Sequence, residues 1–340
     1  MPNQEPNKEW QWPEIGQARV IEFLERAKSN NKIAQTYIFV GPGELGKSSL
    51  ALAFARNLQA GRDGFDSDLQ ILEREPGKKS ISIAQTREFI KRLQLSSFLN
   101  SYKIGIIKEA DLLSEEAKSA LLKTLEEPQD KVVIILLLEE ENNLPATILS
   151  RAQLLRFQPV PAAVIYDYLL DNYGAGRALA KDLANLALGR PLVAVRWLEN
   201  QEEYQKYLEK AAAWLKIFSL DLNERLAILD RLFSDKTWSE KALFGAGEVL
   251  DLAESLSRDL FLLSLGQPEK MQNLALRADL NKALEACEAA LSRDSSLAPV
   301  SGGVGIGIIR QLKLIAQARE YLAGNVNPRL VLEQLVSNIC

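Results

Sequence analysis

The chain has 340 residues, 47% hydrophobic and 25% charged, and a net charge of -4, which suits two or three soluble domains and decides nothing about nucleic acid. No run of about 18 apolar residues occurs, and the stretch from Met1 to Trp12 is polar and acidic, so neither a membrane span nor a secretory leader is expected and a cytoplasmic address follows. Histidine is absent, removing the commonest general base and metal ligand, while Cys287 and Cys340 lie too far apart for any metal or redox spacing.

From Ile15 to about Gln158, short β-branched or apolar runs alternate with helical patterns, the signature of a parallel sheet flanked by helices. Strands are predicted at 36–40, 68–72, 103–107, 132–138 and 153–157. Beyond Pro159-Val160-Pro161 strand signals vanish and amphipathic helices follow one another to the end. The expected domains are therefore 1–160, a nucleotide-binding α/β unit; 161–202, a small helical lid containing the turn at Gly189-Arg190-Pro191; and 203–340, all helical. The glycine-rich stretch Ser301 to Gly307 reads as a loop between helices, because no strand leads into it and no lysine follows in phosphate-binding register.

Gly41-Pro42-Gly43-Glu44-Leu45-Gly46-Lys47-Ser48 fits G-x-x-x-x-G-K-S, with an apolar strand before it and a helical run after it. Gly41, Gly43 and Gly46 let consecutive N–H groups turn around an anion, and the following helix directs its positive end there. Lys47 adds a mobile charge, and Ser48, with Ser49 beside it, is the expected magnesium ligand. ATP is the ligand this pattern implies, with magnesium only as part of the bound nucleotide. A second landmark should be an apolar strand ending in acidic residues, for the metal and for the attacking water. The strand Lys103 to Ile107 ends instead in Lys108-Glu109. An ammonium group at Lys108 repels magnesium, though it suits direct pairing with phosphate, and Glu109 stands where a water-orienting carboxylate belongs. Both residues also read simply as surface charges at a strand end. No resident metal site is expected.

Ser114 followed by Glu115 and Glu116 is a good helix start, Ala117, Ala120, Leu121 and Leu125 form an apolar stripe, and Pro128 ends it. The run Glu109-Ala110-Asp111 through Leu121-Leu122-Lys123-Thr124-Leu125-Glu126-Glu127-Pro128 resembles, almost word for word, the clamp-loader subunits of bacterial DNA polymerase III, within the AAA+ (P-loop, RecA-like) ATPases. Leu144 to Ala152 is similar to that family's Ser-Arg-Cys segment, with alanine in the last place, and Ile15-Gly16-Gln17 and Lys32 to Val40 to its approach to the phosphate loop. Asn325 to Glu333 resembles the last helix of the family's delta-prime branch, where it belongs to a collar; by pattern alone Leu330, Leu332 and Leu335 are core positions.

The resemblance implies an AAA+ domain, a helical lid and an all-α collar in a hetero-oligomeric ring with motor and clamp-opening delta-type subunits. It implies work on a sliding clamp and primed DNA, without membrane contact. It also implies that Arg151 projects into a neighbour's ATP site, where an arginine fork neutralises charge on the transferred phosphoryl group. Lys78, Lys79, Arg87, Lys91 and Arg92 are candidates for non-specific contact with DNA phosphates, and read equally as a solvated helix face. Against the family pattern, no cysteine lies in Asn57 to Asp68, so no zinc is expected. Lys108 replaces the magnesium-binding aspartate, the phosphate-sensing polar residue falls at Leu138 or Glu139, and Leu192 stands in place of an arginine. The expectation is a subunit with weak or no hydrolysis of its own that lends out Arg151. The alternative is an active motor-type ATPase using Glu109; a P-loop kinase fits less well, for want of a lid-like arginine cluster.

Overall fold

A computed structural model describes residues 15–59, 68–95, 102–126, 130–233, 239–293 and 303–339. The chain divides into two compact units, one of residues 1–174 with 187–194 and the other of 175–186 with 195–340.

In the first unit, five apolar runs pair as one parallel sheet. Strands β1 (Thr36–Val40), β2 (Leu69–Leu72), β3 (Lys103–Ile107), β4 (Val132–Leu138) and β5 (Gln153–Arg156) lie in the order β2-β3-β4-β1-β5. Helix α1 (Ala18–Ser29) precedes β1, the crossovers that parallel neighbours need are supplied by α2 (Lys47–Leu58), α3 (Ile83–Gln94), α4 (Glu115–Glu126) and the short α5 (Ala146–Leu149), and α6 (Ala162–Tyr173) follows β5. Helices on both faces explain why β1, β3 and β4 are near-continuous apolar runs. On one face Ile38, Val40, Ile107 and Leu136 pack with Leu121 and Leu125 of α4. On the other, Tyr37, Phe39, Ile106 and Leu137 pack with Leu50 and Phe54 of α2. The bounds of β1, β3 and β4 are those read from the sequence, while β2 and β5 are one residue shorter.

Local chemistry sets the helix starts. Ser82 and Gln85 form a reciprocal capping box at α3. The Ser114 hydroxyl accepts the Ala117 N–H at 3.2 Å, as expected for α4; Pro128 lies outside the described residues.

The segment expected as a lid, 161–202, divides between the units: α6 belongs to the first, α7 (Arg177–Leu186) to the second, and α8 (Pro191–Glu199) spans the division. The second unit adds α9 (Gln201–Lys216), α10 (Leu222–Leu232), α11 (Glu240–Ser264), α12 (Arg277–Arg293), α13 (Gly303–Ala323) and α14 (Pro328–Ser337) around Trp214, Leu250, Leu256, Leu280, Cys287 and Leu332. Cys287 is buried in the core, as read; Cys340 lies outside the described residues.

Two expectations fail here. Gly303 to Gly307 is not loop but the first turn and more of α13, with Ser301 and Gly302 outside the described residues. Gly305 lies against Phe261 and Ser264 of α11, where a Cβ would sit at an ordinary 3.7 Å, and packing of α13 on α11 offsets the poor helix propensity of glycine. Leu330 is not core but 60% exposed, whereas Val331, Leu332, Leu335 and Val336 are buried. Residues two apart on a helix point some 200° away from each other, so Leu330 and Leu332 cannot share its buried face.

Candidate functional site

The G-x-x-x-x-G-K-S segment connects the end of β1 to the start of α2. Gly41 has φ 147°, and a Cβ there would lie 2.6 Å from the Phe157 carbonyl oxygen; only glycine lets the loop leave the sheet so close to the end of β5. Gly46 caps α2 at φ 87°, no side chain caps the first turn, and no acidic residue lies in it. The free N–H groups and the positive helix end are thereby left for an anion. Ser48 and Ser49 are exposed on that turn. The Lys47 ammonium group donates to the carbonyl of Gly41 and, at 2.7 Å, to that of Pro42, which holds it over the loop. Its pKa is lowered, chiefly by burial, against the opposing negative charges of Glu139 and Asp111.

Strand order brings three further segments into play. The strand β4 separates β1 from β3, and the register Val40↔Leu138 sets Glu139 beside the loop. The Gly41 N–H donates to the Leu138 carbonyl at 3.3 Å, and a Cβ on Gly43 would lie 2.9 Å from Oε1 of Glu139. The Leu192 N–H donates to the Glu44 carbonyl at 3.4 Å, so the Gly189-Arg190-Pro191-Leu192 turn stands against the loop with an apolar side chain. Arg190 turns back onto the Ala187 carbonyl, and Arg196 pairs with Glu203 at 3.5 Å in the second unit.

At the far end of the sheet, the Leu72↔Ile107 register sets Glu73-Arg74 opposite Lys108-Glu109. The Lys108 ammonium group donates to Glu73 Oε2 at 2.8 Å, and Arg74 reaches Glu109 Oε1 at 3.4 Å. Glu109 itself is left-handed, φ 49°, and leads into the short helical turn Ala110–Leu112. Sequence reasoning named Lys108 and Glu109 but missed their partners; the signal was two adjacent charge pairs of opposite order, each directly after a strand. It also gave Glu139 no active role. Among the described residues no cluster of three or more acidic or cysteine side chains has metal-binding geometry.

Comparison with known proteins bears on what such a site belongs to. The family described as DNA polymerase III, delta subunit, matches residues 62–161. The DNA polymerase III subunit delta' of Bacillus subtilis is 25% identical over 351 residues, spanning 96% of this chain and 97% of that one. Over nearly its whole length the chain is similar to a DNA polymerase III subunit delta'. Other relatives align with less than half of the chain: the tau subunit of Bacillus subtilis is 28% identical over 44% of this chain and 29% of its own length. Among solved structures, a gamma subunit-related protein of Thermotoga maritima aligns over 92% of this chain and 97% of that one, at 18% identity and a TM-score of 0.46.

Arg151 follows α5 on the exposed surface of the first unit. Its guanidinium donates to the Thr147 carbonyl at 3.0 Å and pairs with Glu126 at 3.2 Å, both side chains well exposed. Such a pair is worth at most about 1 kcal/mol, so the fork is free to exchange Glu126 for another anion. Lys78, Lys79, Arg87, Lys91 and Arg92 are all exposed, and Arg92 pairs with Glu88 at 2.9 Å. Residues 60–67, inside the segment read as lacking a zinc module, are outside the described residues. No described helix is long and apolar enough to cross a membrane.

Proposed function

We propose that this chain is a delta-prime type subunit of a cytoplasmic DNA polymerase III clamp loader, lending Arg151 to the ATP site of a neighbouring subunit and hydrolysing little ATP itself. In this reading it joins motor and delta-type subunits in a hetero-oligomeric ring that acts on a sliding clamp and primed DNA. Basic residues such as Lys78 and Lys91 follow DNA phosphates without reading bases. The observation that carries the proposal is the state of Arg151: exposed and, among the described residues, tied to a backbone carbonyl and an exposed glutamate.

The residues of the phosphate loop fit a nucleotide's phosphates. The Gly41 cradle would be filled by any side chain, the first turn of α2 is uncapped, and Lys47 is held over the loop. Magnesium fits less well. Ser48 supplies a hydroxyl, but the strand-end position that ordinarily ligates the metal carries Lys108, already paired with Glu73. ATP bound here would be held by the loop N–H groups, Lys47 and Ser48. Hydrolysis is disfavoured by Lys108 at the metal position and by the lack of a phosphate-sensing hydrogen-bond donor at Leu138 or Glu139. The tests are ATP turnover by the isolated chain, expected to be negligible, and Arg151→Ala in the assembled loader, expected to slow turnover at the neighbouring site by two orders of magnitude or more. Unaltered turnover at that site in the mutant assembly would sink the proposal; Arg151 is exposed, so the substitution leaves the core alone, and an unchanged melting curve checks that the fold is intact.

A further inference from the structure

We infer that Glu139 sets the ligand preference of the phosphate loop, favouring a nucleoside diphosphate over the corresponding triphosphate. The inference rests on the reading of the loop as a nucleotide site and adds a residue and a selectivity to it. Its basis is geometric. The β1–β4 register ends at Val40↔Leu138, so the residue after β4 emerges beside the first residue of the loop, and the Gly41 N–H to Leu138 carbonyl bond pins that juxtaposition. Oε1 of Glu139 then lies 2.9 Å from the point a Cβ would occupy on Gly43, in the middle of the loop. Among the described ion pairs none engages Glu139, and its charge is felt by Lys47.

In a loop of this type the backbone N–H groups cradle the inner phosphates and the lysine reaches the outer ones. A carboxylate that faces both Gly43 and Lys47 therefore stands near the outer end of the phosphate chain. Each phosphate added at that end brings roughly one more negative charge toward a fixed negative charge. Nothing nearby on the same strand end offsets this, because Glu140 is acidic too and Asp111 also acts on Lys47. Lys108, at the end of β3, points to Glu73 at 2.8 Å. For unit charges about 6 Å apart in a half-solvated site, the expected discrimination is on the order of tenfold in dissociation constant.

The experiment is calorimetric titration of the intact chain with ADP and with ATP in excess magnesium, alongside Glu139→Gln and Lys47→Ala. Wild type is expected to bind ADP about tenfold more tightly than ATP, and Glu139→Gln to abolish the difference by strengthening ATP. A wild type that binds neither, with ATP binding appearing in Glu139→Gln, also supports the assignment. Equal affinities in wild type, tighter ATP binding in wild type, or a ratio that Glu139→Gln leaves untouched would overturn it while leaving the nucleotide site intact. Binding by neither protein, or binding that survives Lys47→Ala, would overturn both this inference and the reading beneath it. Glu139 is exposed, so the substitution leaves the core of the fold alone.

Discussion

Replacing Asp259 by alanine removes the acceptor on which the connection between α11 and α12 is built. Asp259 is fully buried, and its two oxygens accept the Gln272 N–H at 2.9 and 3.1 Å, the Asn273 N–H at 2.7 Å and the Asn273 side-chain amide at 2.8 Å. The same amide donates to Ser255, and its oxygen accepts from the Tyr207 hydroxyl at 2.6 Å, so α9, α11 and the 271–276 segment share one polar network. Gln272 and Asn273 are themselves buried, which leaves their donors without water when the carboxylate goes. An unsatisfied buried donor costs about 1–3 kcal/mol; because the three share one site and partial relaxation, about 3–5 kcal/mol is expected in total. Asp259→Asn retains one acceptor oxygen and should cost about half as much. Urea unfolding followed by tryptophan fluorescence is the assay, since Trp197 and Trp214 both lie in the second unit. A background with Trp10, Trp12 and Trp238 changed to phenylalanine isolates that signal. With a urea slope near 2 kcal/mol/M the midpoint should fall by about 2 M. A fall of less than about 0.3 M would refute the claim that these bonds hold the connection.

In the first unit, Gly41→Ala combines a φ of 147° with a Cβ 2.6 Å from the Phe157 carbonyl. It is expected to cost about 2–4 kcal/mol, read as lost hydrogen-exchange protection of the β1 amides, whereas native-like protection would contradict the close approach. Alkaline pH should weaken the second unit through Tyr204 and Tyr207, whose hydroxyl pKa values burial pushes up to about 12 from 10.0. Because the folded-state values are raised, the stability each contributes is whole below pH 10 and is lost as pH climbs through 12; each contributes at most about 2.7 kcal/mol. Tyr207→Phe should therefore flatten the stability profile between pH 10 and 12, and a profile as steep as wild type would contradict the burial argument.

What could be read without coordinates was whatever short-range pattern dictates. The bounds of β1, β3 and β4, the loop between β1 and α2, and the Ser114 cap depend on apolar runs, glycine freedom and a side chain three residues from its partner, all of which are local. Tertiary structure decided the rest. The placement of β4 between β1 and β3 aims Glu139 at the loop, and the β2–β3 register joins Lys108 to Glu73 and Glu109 to Arg74 across 35 residues of sequence. Close contact with α11 turns Gly303 to Gly307 into helix, and the packing of α14 chooses Val331 over Leu330 for its buried face. Pairing register and close packing are settled by free energies summed between distant segments, and a reading of neighbouring residues holds no record of those sums.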